Sequence, residues 1–366
     1  MDATVAIFAE GIDLHARAVR WALARNGVLT VMVPDVSGLA DRFSIHTDGK
    51  GLAWGSYGAD SSPVNFRSVW FRRPQPPDPT HCLEEDKPFV TQQWKLFQKN
   101  VFDLGNQVLD ILWVNQPHCA LRAESKLLQL HEAHAVGLDF PELVVTNRTQ
   151  DVAQLIKRWG RVVYKSFYPH TWHSASLDTY QSVGVVLLDE HSDLPDESIA
   201  MCPSIFQRYI DKKSDIRVTV IGDRMYTMEI VKSDGGAFLD WRSSTMDEVC
   251  VMRPIQLGHV LQQKLKALMS RLGIVFGCID LVVDRDNNVF FLEVNQAGQF
   301  LFVEDKDGSL PMLQSVTAML MEGRCDYSLE AGKKVTLADY FASDEYQEAL
   351  KSNDRTHAIS ALTMER

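Results

Sequence analysis

The sequence predicts an α/β (α+β) chain in which a parallel-sheet opening is followed by antiparallel hairpins. Three observations carry this. Residues 4–9, 12–26 and 29–33 read as strand, helix and strand, a β-α-β unit that needs a parallel pair. Two apolar runs, 216–221 and 225–231, are separated only by Gly222-Asp223, a two-residue hairpin turn. Two more, 278–284 and 289–295, flank the turn residues Asp286-Asn287 in the same manner. The 366 residues are enough for two or three domains.

Along the chain, Gly27 closes the first helix. A short strand follows at 68–71, and the Pro-rich stretch 74–79 breaks the chain. Residues 89–113 read as a helix with an interruption near Gly105, and 117–122 as a boundary. A helix is expected over 123–136, ended by Gly137, and a strand over 143–146. Thr149 is expected to cap a helix running to Trp159. Strands follow at 161–167 and 205–210, then the first hairpin. Residues 257–272 read as a helix with Gly273 behind it, before the second hairpin. The tail beyond Gly332 carries a short helix at 344–351 and a polar end expected to fray.

Composition narrows the function. An apolar fraction of 45% with 17 Phe and 8 Trp is that of a folded chain, not a disordered one. A net charge of −11 argues against a general nucleic-acid binder and against a protein held on anionic membranes. No stretch reaches the 18 or so apolar residues of a membrane span, and residues 1–10 lack a signal peptide's basic start and long apolar run. The six cysteines form no CxxC pair, so a zinc ribbon or redox motif is not expected, and reduced thiols in a cytoplasmic protein are.

The segment 278–295 is the most informative. A two-residue loop would pair Arg285 with Asn288 and so set Asp280 opposite Glu293. Like charges directly opposite repel. Asn295 lies two residues on, on the same face. Three hard oxygen donors thus converge, a set suited to Mg²⁺ or Ca²⁺ rather than zinc or copper. The alternative is a solvated hairpin edge with casual acids.

No GxxxxGK[ST] occurs and no GxGxxG follows the first strand, so neither a P-loop nor a dinucleotide fold is expected. Isolated lysines remain. Lys165 sits in an apolar strand, where an ammonium is costly unless it reaches water or an anion such as phosphate. Lys126 lies in the first turns of a helix, where a surface lysine is the simpler reading. Asp215 and Arg217 share a strand face, as a plain salt bridge or as holders of a ribose hydroxyl or phosphate. His131 and His134 are three apart, which is not the spacing of a zinc helix, and Cys278 reads as core.

Taken in order, these pieces resemble the ATP-grasp superfamily, and within it the branch of ribosomal-protein glutamate ligases and graspetide (microviridin-type) macrocyclases. Residues 115–147, with Lys126-Leu127-Leu128-Gln129-Leu130 and Gly137-Leu138-Asp139-Phe140-Pro141, look like the start of its nucleotide fold. Val163-Tyr164-Lys165 looks like its phosphate-binding strand, and Gln207-Arg208-Tyr209-Ile210 like its adenine hinge. Residues 215–223 look like its most distinctive strand pair, and Asp280 with Glu293-Val294-Asn295 like its magnesium set. The macrocyclase branch is suggested by Val69-Trp70-Phe71-Arg72-Arg73-Pro74, Asp240-Trp241-Arg242 and Gly298-Gln299-Phe300. Arg208 stands where an acidic residue is usual, and Gln296 where proline is usual.

The resemblance implies an ATP-grasp fold with a pre-ATP-grasp α/β domain over 1–117. It implies a small subdomain with a lid over 118–204, a subdomain with hinge and metal site over 205–330, and a tail over 331–366. It implies ATP and Mg²⁺ as cofactors. Lys126 and Lys165 would hold phosphates, Gln207, Arg208 and Tyr209 would frame the adenine, and Asp215 would take the ribose region. Asp280, Glu293 and Asn295 would bind metal, while Arg217 and Arg242 would steady the transferring phosphate. The implied reaction activates an Asp or Glu side chain of a ribosomally made precursor peptide. A Ser/Thr hydroxyl or Lys amine of that peptide is then joined to it as an ω-ester or ω-amide. The implied partner is a precursor with a leader segment, which the acidic stretch 189–197 could receive, although a solvated loop is the simpler reading; residues 168–176 could form a lid or be a surface hairpin. A homodimer is expected. A ligase of the same fold that adds a free amino acid to a protein or small acid is the alternative. A non-catalytic relic is disfavoured by the retained Lys126, Lys165, Asp280, Glu293 and Asn295.

Overall fold

The computed structural model describes residues 4–351 apart from 34–42, 48, 50–51, 58–62, 65, 75–78, 80–81, 109, 168–170, 175–178, 183, 235–237 and 242–249. The N-terminal part holds β1 (Thr4–Phe8), α1 (Leu14–Arg25) and β2 (Thr30–Val33). After these come β3 (Phe43–Thr47), β4 (Leu52–Tyr57), β5 (Pro63–Val64), β6 (Phe66–Phe71), α2 (Lys87–Val108) and β7 (Leu112–Val114). Strands β2-β1-β6-β7 pair in that order, all parallel. A parallel sheet is covered on both faces, so its strands are apolar throughout. Accordingly every residue of β1 is buried. Val5 and Ile7 pack toward α1, and Ala6 and Phe8 toward Val101 and Phe102 of α2.

The middle of the chain gives α3 (Pro117–Ala123), α4 (Lys126–Ala135), β8 (Leu143–Thr146), α5 (Thr149–Trp159) and β9 (Val162–Lys165). It continues with β10 (Thr171–Ser174), β11 (Thr179–Ser182), β12 (Val186–Leu188), α6 (Asp196–Ala200) and β13 (Ser204–Arg208). Strands β12-β9-β13-β8 form an antiparallel sheet, and β10-β11 a separate ribbon. The α5 residues Val152, Leu155 and Ile156 cover Val162 and Phe206 of that sheet.

The third part is β14 (Lys212–Ile221), β15 (Arg224–Lys232), β16 (Cys250–Pro254), α7 (His259–Leu272), β17 (Phe276–Asp284) and β18 (Val289–Asn295). Helices α8 (Leu301–Lys306), α9 (Met312–Glu322), α10 (Leu337–Phe341) and α11 (Asp344–Lys351) end it. The sheet β16-β15-β14-β17-β18 is antiparallel. Period-two alternation divides β14. Ile216, Val218 and Val220 pack with Leu265, Leu268 and Leu272 of α7. Asp215, Arg217 and Thr219 take the other face, beside Met228 and Ile230, which share one core with β1, α1 and α9. The N-terminal sheet and the β14–β18 sheet are therefore joined by one apolar seam. Gly222 turns β14 into β15 at φ +56°, and a Cβ there would lie 2.4 Å from the Cys325 carbonyl oxygen, so the turn needs glycine.

The predicted elements omit β3, β4, β5, β12, β16 and α6, and they differ from this elsewhere too. The helix expected over 89–113 stops at Val108, because Leu112-Trp113-Val114 is an apolar run that pairs with Ser68–Trp70. Residues 117–122, read as a boundary, lie in a helix: Pro117 opens α3, its missing N–H being no loss at a first helical position. The helix expected over 123–136 starts only at Lys126. Thr149 is the first residue of α5, not its cap, which is Arg148. Helices α8, α9 and α10 are unannounced; in α9 every residue from Met312 to Met321 is buried, so no polar face marks the helical period. The frayed end expected beyond Lys351 lies outside the described residues.

Candidate active site

The site face of the β17–β18 hairpin depends on a bulge. The turn closes between Asp284 and Asn288, not Arg285 and Asn288 as a two-residue loop requires. Asp284 Oδ1 accepts the amides of Asp286 and Asn288, and Asn287 takes φ +68°. From this turn Val283 faces Val289, Val282 faces Phe290, and Leu281 faces Phe291. Carried on unbroken, that register would turn Glu293 onto the apolar face of the sheet. Instead Leu292 is skipped, and Asp280 faces Glu293 with Cys278 facing Asn295. The expected acidic pair forms, by an odd turn and one bulge rather than an even turn.

Each of these carboxylates has a cation. Arg217 faces Asp280 across β14 and β17, with Nη1 at 2.9 and 3.0 Å from its two oxygens. The pair is nearly closed to water, with 3% and 6% of the side chains exposed. Lys126, the first residue of α4, reaches Glu293 at 2.5 Å, both 28% exposed. Gln129 fixes that helix against the hairpin edge: its amide receives Val294 N–H at 2.9 Å and donates to Val294 O at 2.8 Å and Ala123 O at 2.6 Å. A single side chain thus does for β18 what a neighbouring strand would do.

Asp215 is buried and held by Lys212 at 2.7 Å, whose ammonium also donates to Leu239 O. Burial outweighs Lys212 and, with Asp280 and Asp240 nearby, pushes the Asp215 carboxyl up to about 6. Arg217 Cζ stands 6.0 Å over the Phe302 ring, on which Trp241 packs at 5.6 Å. Arg242, next in the chain, lies outside the described residues.

The other predicted residues gather on the sheet of β9 and β13. Lys165 ends β9 opposite Ile205. Gln207 is buried, and Arg208 N–H donates to Glu142 O where the chain leaves β13. Tyr209 donates its amide to Arg161 O, and the Arg161 guanidinium lies 4.1 Å from its ring centroid. Of the loop 168–176, residues 168–170 and 175–176 lie outside the described residues, and β10 pairs with β11 between them. In the stretch 189–197, Asp189 accepts from His191 N–H and Ser192 Oγ. His131 and His134 are exposed, while Glu132 between them is buried and bound by Arg122 and Arg271. Among the described residues no three His, Cys, Asp or Glu cluster as a metal site.

Sequence reasoning missed the buried polar frame around these groups. Asn115 accepts the amides of Val275 and Phe276 and donates to the carbonyls of Phe276 and Gln296. Asp13 caps α1 at Ala16 N–H and holds Arg72 Nε at 2.9 Å. Burial raises the Asp13 carboxyl, but the Arg72 charge, with hydrogen bonds from Arg72 and from the Ala16 amide, prevails and holds it at about 2. An acid lowered from 3.8 stabilises the fold above pH 4 and stops doing so as pH falls toward 2. Asp13→Asn should therefore cost about 2 kcal/mol at pH 6 in denaturant unfolding, with the gap to the parent closing between pH 4 and 2. A gap independent of pH would contradict the pairing.

No protein-family model matches the chain, and no curated protein matches it. Solved structures do. A Chryseobacterium gregarium RiPP-associated ATP-grasp ligase, in complex with ADP and a leader and core peptide, superposes with TM-score 0.75 at 19% identity, over 92% of this chain and 100% of its own. The macrocyclase MdnC of Microcystis aeruginosa MRC, bound with precursor peptide MdnA, gives TM-score 0.70 at 19% identity, over 87% and 98%. The ATP-grasp ligase PsnB, complexed with minimal precursor, Mg and ADP, gives 0.68 at 17%, over 87% and 96%. The chain has the ATP-grasp fold.

Within that fold its two departures are structurally absorbed. Gln296, in place of the usual proline, is held through Nε2 on Glu124 at 3.1 Å and through its carbonyl on Asn115 at 3.0 Å. Arg208, in place of the usual acid, is 41% exposed and turns toward Glu142. Among the described residues no helix of this ATP-grasp chain is long and apolar enough to cross a membrane.

Proposed function

We propose that this chain is an ATP-dependent ligase that closes rings in a ribosomally made precursor peptide. The observation that carries it is the paired face of the hairpin, Arg217 with Asp280 and Lys126 with Glu293, on an ATP-grasp fold. The two carboxylates and two cations sum to zero, so these residues fit a divalent ion that arrives together with anionic phosphates rather than alone. Asp280, Glu293 and Asn295 would hold Mg²⁺, whose chemistry is to draw charge from phosphate oxygens. Lys126 exchanges its carboxylate for a phosphate, and Lys165 binds a second. Gln207, Arg208 and Tyr209 frame the adenine largely through backbone, and Asp215 lies toward the ribose.

In this reading a side-chain carboxylate of the peptide attacks the γ-phosphate, ADP leaves, and a hydroxyl or amine of the same peptide displaces phosphate from the acyl phosphate. Arg217 and Arg242 are proposed to steady that group, because a guanidinium fork matches phosphate oxygens. The chain's own contribution is position and charge, with no covalent nucleophile. The reading extends to the domain division at 117, 204 and 330, a cytoplasmic location and a homodimer. The leader is proposed to dock near residues 189–197. There a cleft of about 730 Å³ lies against α5, lined by Lys157, Arg161, Asp189 and His191.

Intact-mass measurement tests the proposal. A short Thr/Ser- and Asp/Glu-rich peptide encoded beside this gene should lose one water per ring when incubated with the protein, ATP and Mg²⁺. An unchanged peptide with ATP consumed upon addition of free amino acids would favour the intermolecular ligase instead.

A further inference from the structure

Two motifs that the proposed chemistry leaves without a role, residues 69–74 and 298–300, meet in the structure. Arg72 directly follows β6 and is 1% exposed. Its Nε lies 2.9 and 3.1 Å from the Asp13 carboxylate, and its Nη1 donates to the carbonyls of Ala297 at 3.2 Å and Gly298 at 3.4 Å. Phe300 packs its ring 4.8 Å from His15 and 6.3 Å from Trp70. His15 is buried, and burial followed by Arg72 keeps it neutral, so it adds no positive charge to the guanidinium beside it.

Residues 296–299 form a strap directly after Glu293 and Asn295. Its far end is held by Arg217, whose Nη2 donates to Gln299 O at 3.0 Å while Nη1 holds Asp280. Cys278 Sγ also reaches Gln299 O, at 3.4 Å. The strap has no slack: a Cβ on Gly298 would lie 2.7 Å from Cys278 Cβ and 3.0 Å from Arg217 Nη2. A buried guanidinium is costly unless its donors are satisfied. Arg72 satisfies part of its own on a loop of the other sheet, and that loop touches Arg217.

We propose that Arg72, anchored by Asp13, is a positioning residue that fixes the 296–299 strap and through it aims the Arg217 guanidinium. This rests on the ligase reading for the role of Arg217, while the strap's position does not. The strap is held on its near side from the N-terminal sheet and on its far side from the β14–β18 sheet, so the N-terminal part of the chain acts on the chemistry through Arg217.

The test uses the full chain carrying Arg72→Met or the milder Arg72→Lys. Amide exchange over 293–301 should quicken in Arg72→Met. Turnover should fall 10- to 100-fold, the scale of a reacting group displaced by about 1 Å. KM for ATP should stay within about threefold, since Lys126, Lys165 and the β13 hinge are untouched; Arg72→Lys should recover part of kcat. Combined with Arg217→Lys, Arg72→Met should add little further loss, because both act through one guanidinium. Unaltered kcat, a full additive loss in the double variant, or KM rising in step with the fall in kcat would overturn the proposal. Should Arg72→Met fail to fold, Gly298→Ala presses on Arg217 from the strap side, and the same split between kcat and KM is required. If the parent ligates free amino acids rather than closing rings, the same comparison is read on that reaction, and only the substrate class is lost.

Discussion

Glu293→Gln should cut turnover by about a thousandfold, a loss of about 4 kcal/mol in transition-state stabilisation, while the protein stays folded. Glu293 is one of two carboxylates in the proposed metal set, and the amide that replaces it carries no charge. Its present partner, Lys126, is as exposed as Glu293 itself, at 28%. Ion pairs that wet contribute at most about 1 kcal/mol, so the melting temperature should move by only a few degrees. Activity assayed by phosphate release, alongside thermal unfolding, separates the two effects. Parent-like turnover would remove Glu293 from the metal set, and a collapse in stability would make the pair structural.

Arg217 should behave in the opposite manner. Its pair with Asp280 is 3% and 6% exposed, so deleting the cation leaves an uncompensated buried carboxylate. Arg217→Met is expected to destabilise the fold by about 3–5 kcal/mol. Arg217→Lys keeps the charge but not the fork, and cannot hold Asp280 and the Gln299 carbonyl together. The Lys variant should fold and lose about 100-fold in kcat, in the range of removing one preorganised donor. Turnover of Arg217→Lys equal to the parent would mean that only charge, and no directed hydrogen bond, is required there.

What the sequence disclosed follows from how far its signals reach. Asp280 and Glu293 stood out because acids interrupt two apolar runs joined by a short turn, and the pairing is local. Gly222-Asp223 announced its hairpin for the same reason. The groups that frame the site were silent. Asn115 bonds to residues 160 and more positions away, Gln129 to Val294, and Asp13 to Arg72. Each looks in the sequence like an ordinary polar residue near a helix or strand end. Lys212, two residues beyond the hinge, gave no hint that it would be buried on Asp215. Helix α9 was invisible for the reverse reason, since burial on all sides erases the amphipathic period. The turn was misread and its consequence was not: an odd loop and a bulge restore the same opposition as an even loop.

The bulge at Leu292 also sets which parts of this hairpin can change over evolutionary time. Residues 284–288 lie above the ladder pairs that end at Val283 and Val289, so lengthening the turn leaves those pairs in place. Leu292 shares that freedom: it is the unpaired residue of the bulge, and its deletion would leave Phe291 opposite Leu281 and bring Glu293 opposite Asp280 in an unbroken ladder. What cannot change is the spacing beyond it, because one residue gained or lost between Glu293 and Asn295 would move Asn295 to the other face. Relatives that retain the chemistry should therefore differ freely in turn length, keep or lose the bulged residue, and hold the acid and the amide two positions apart.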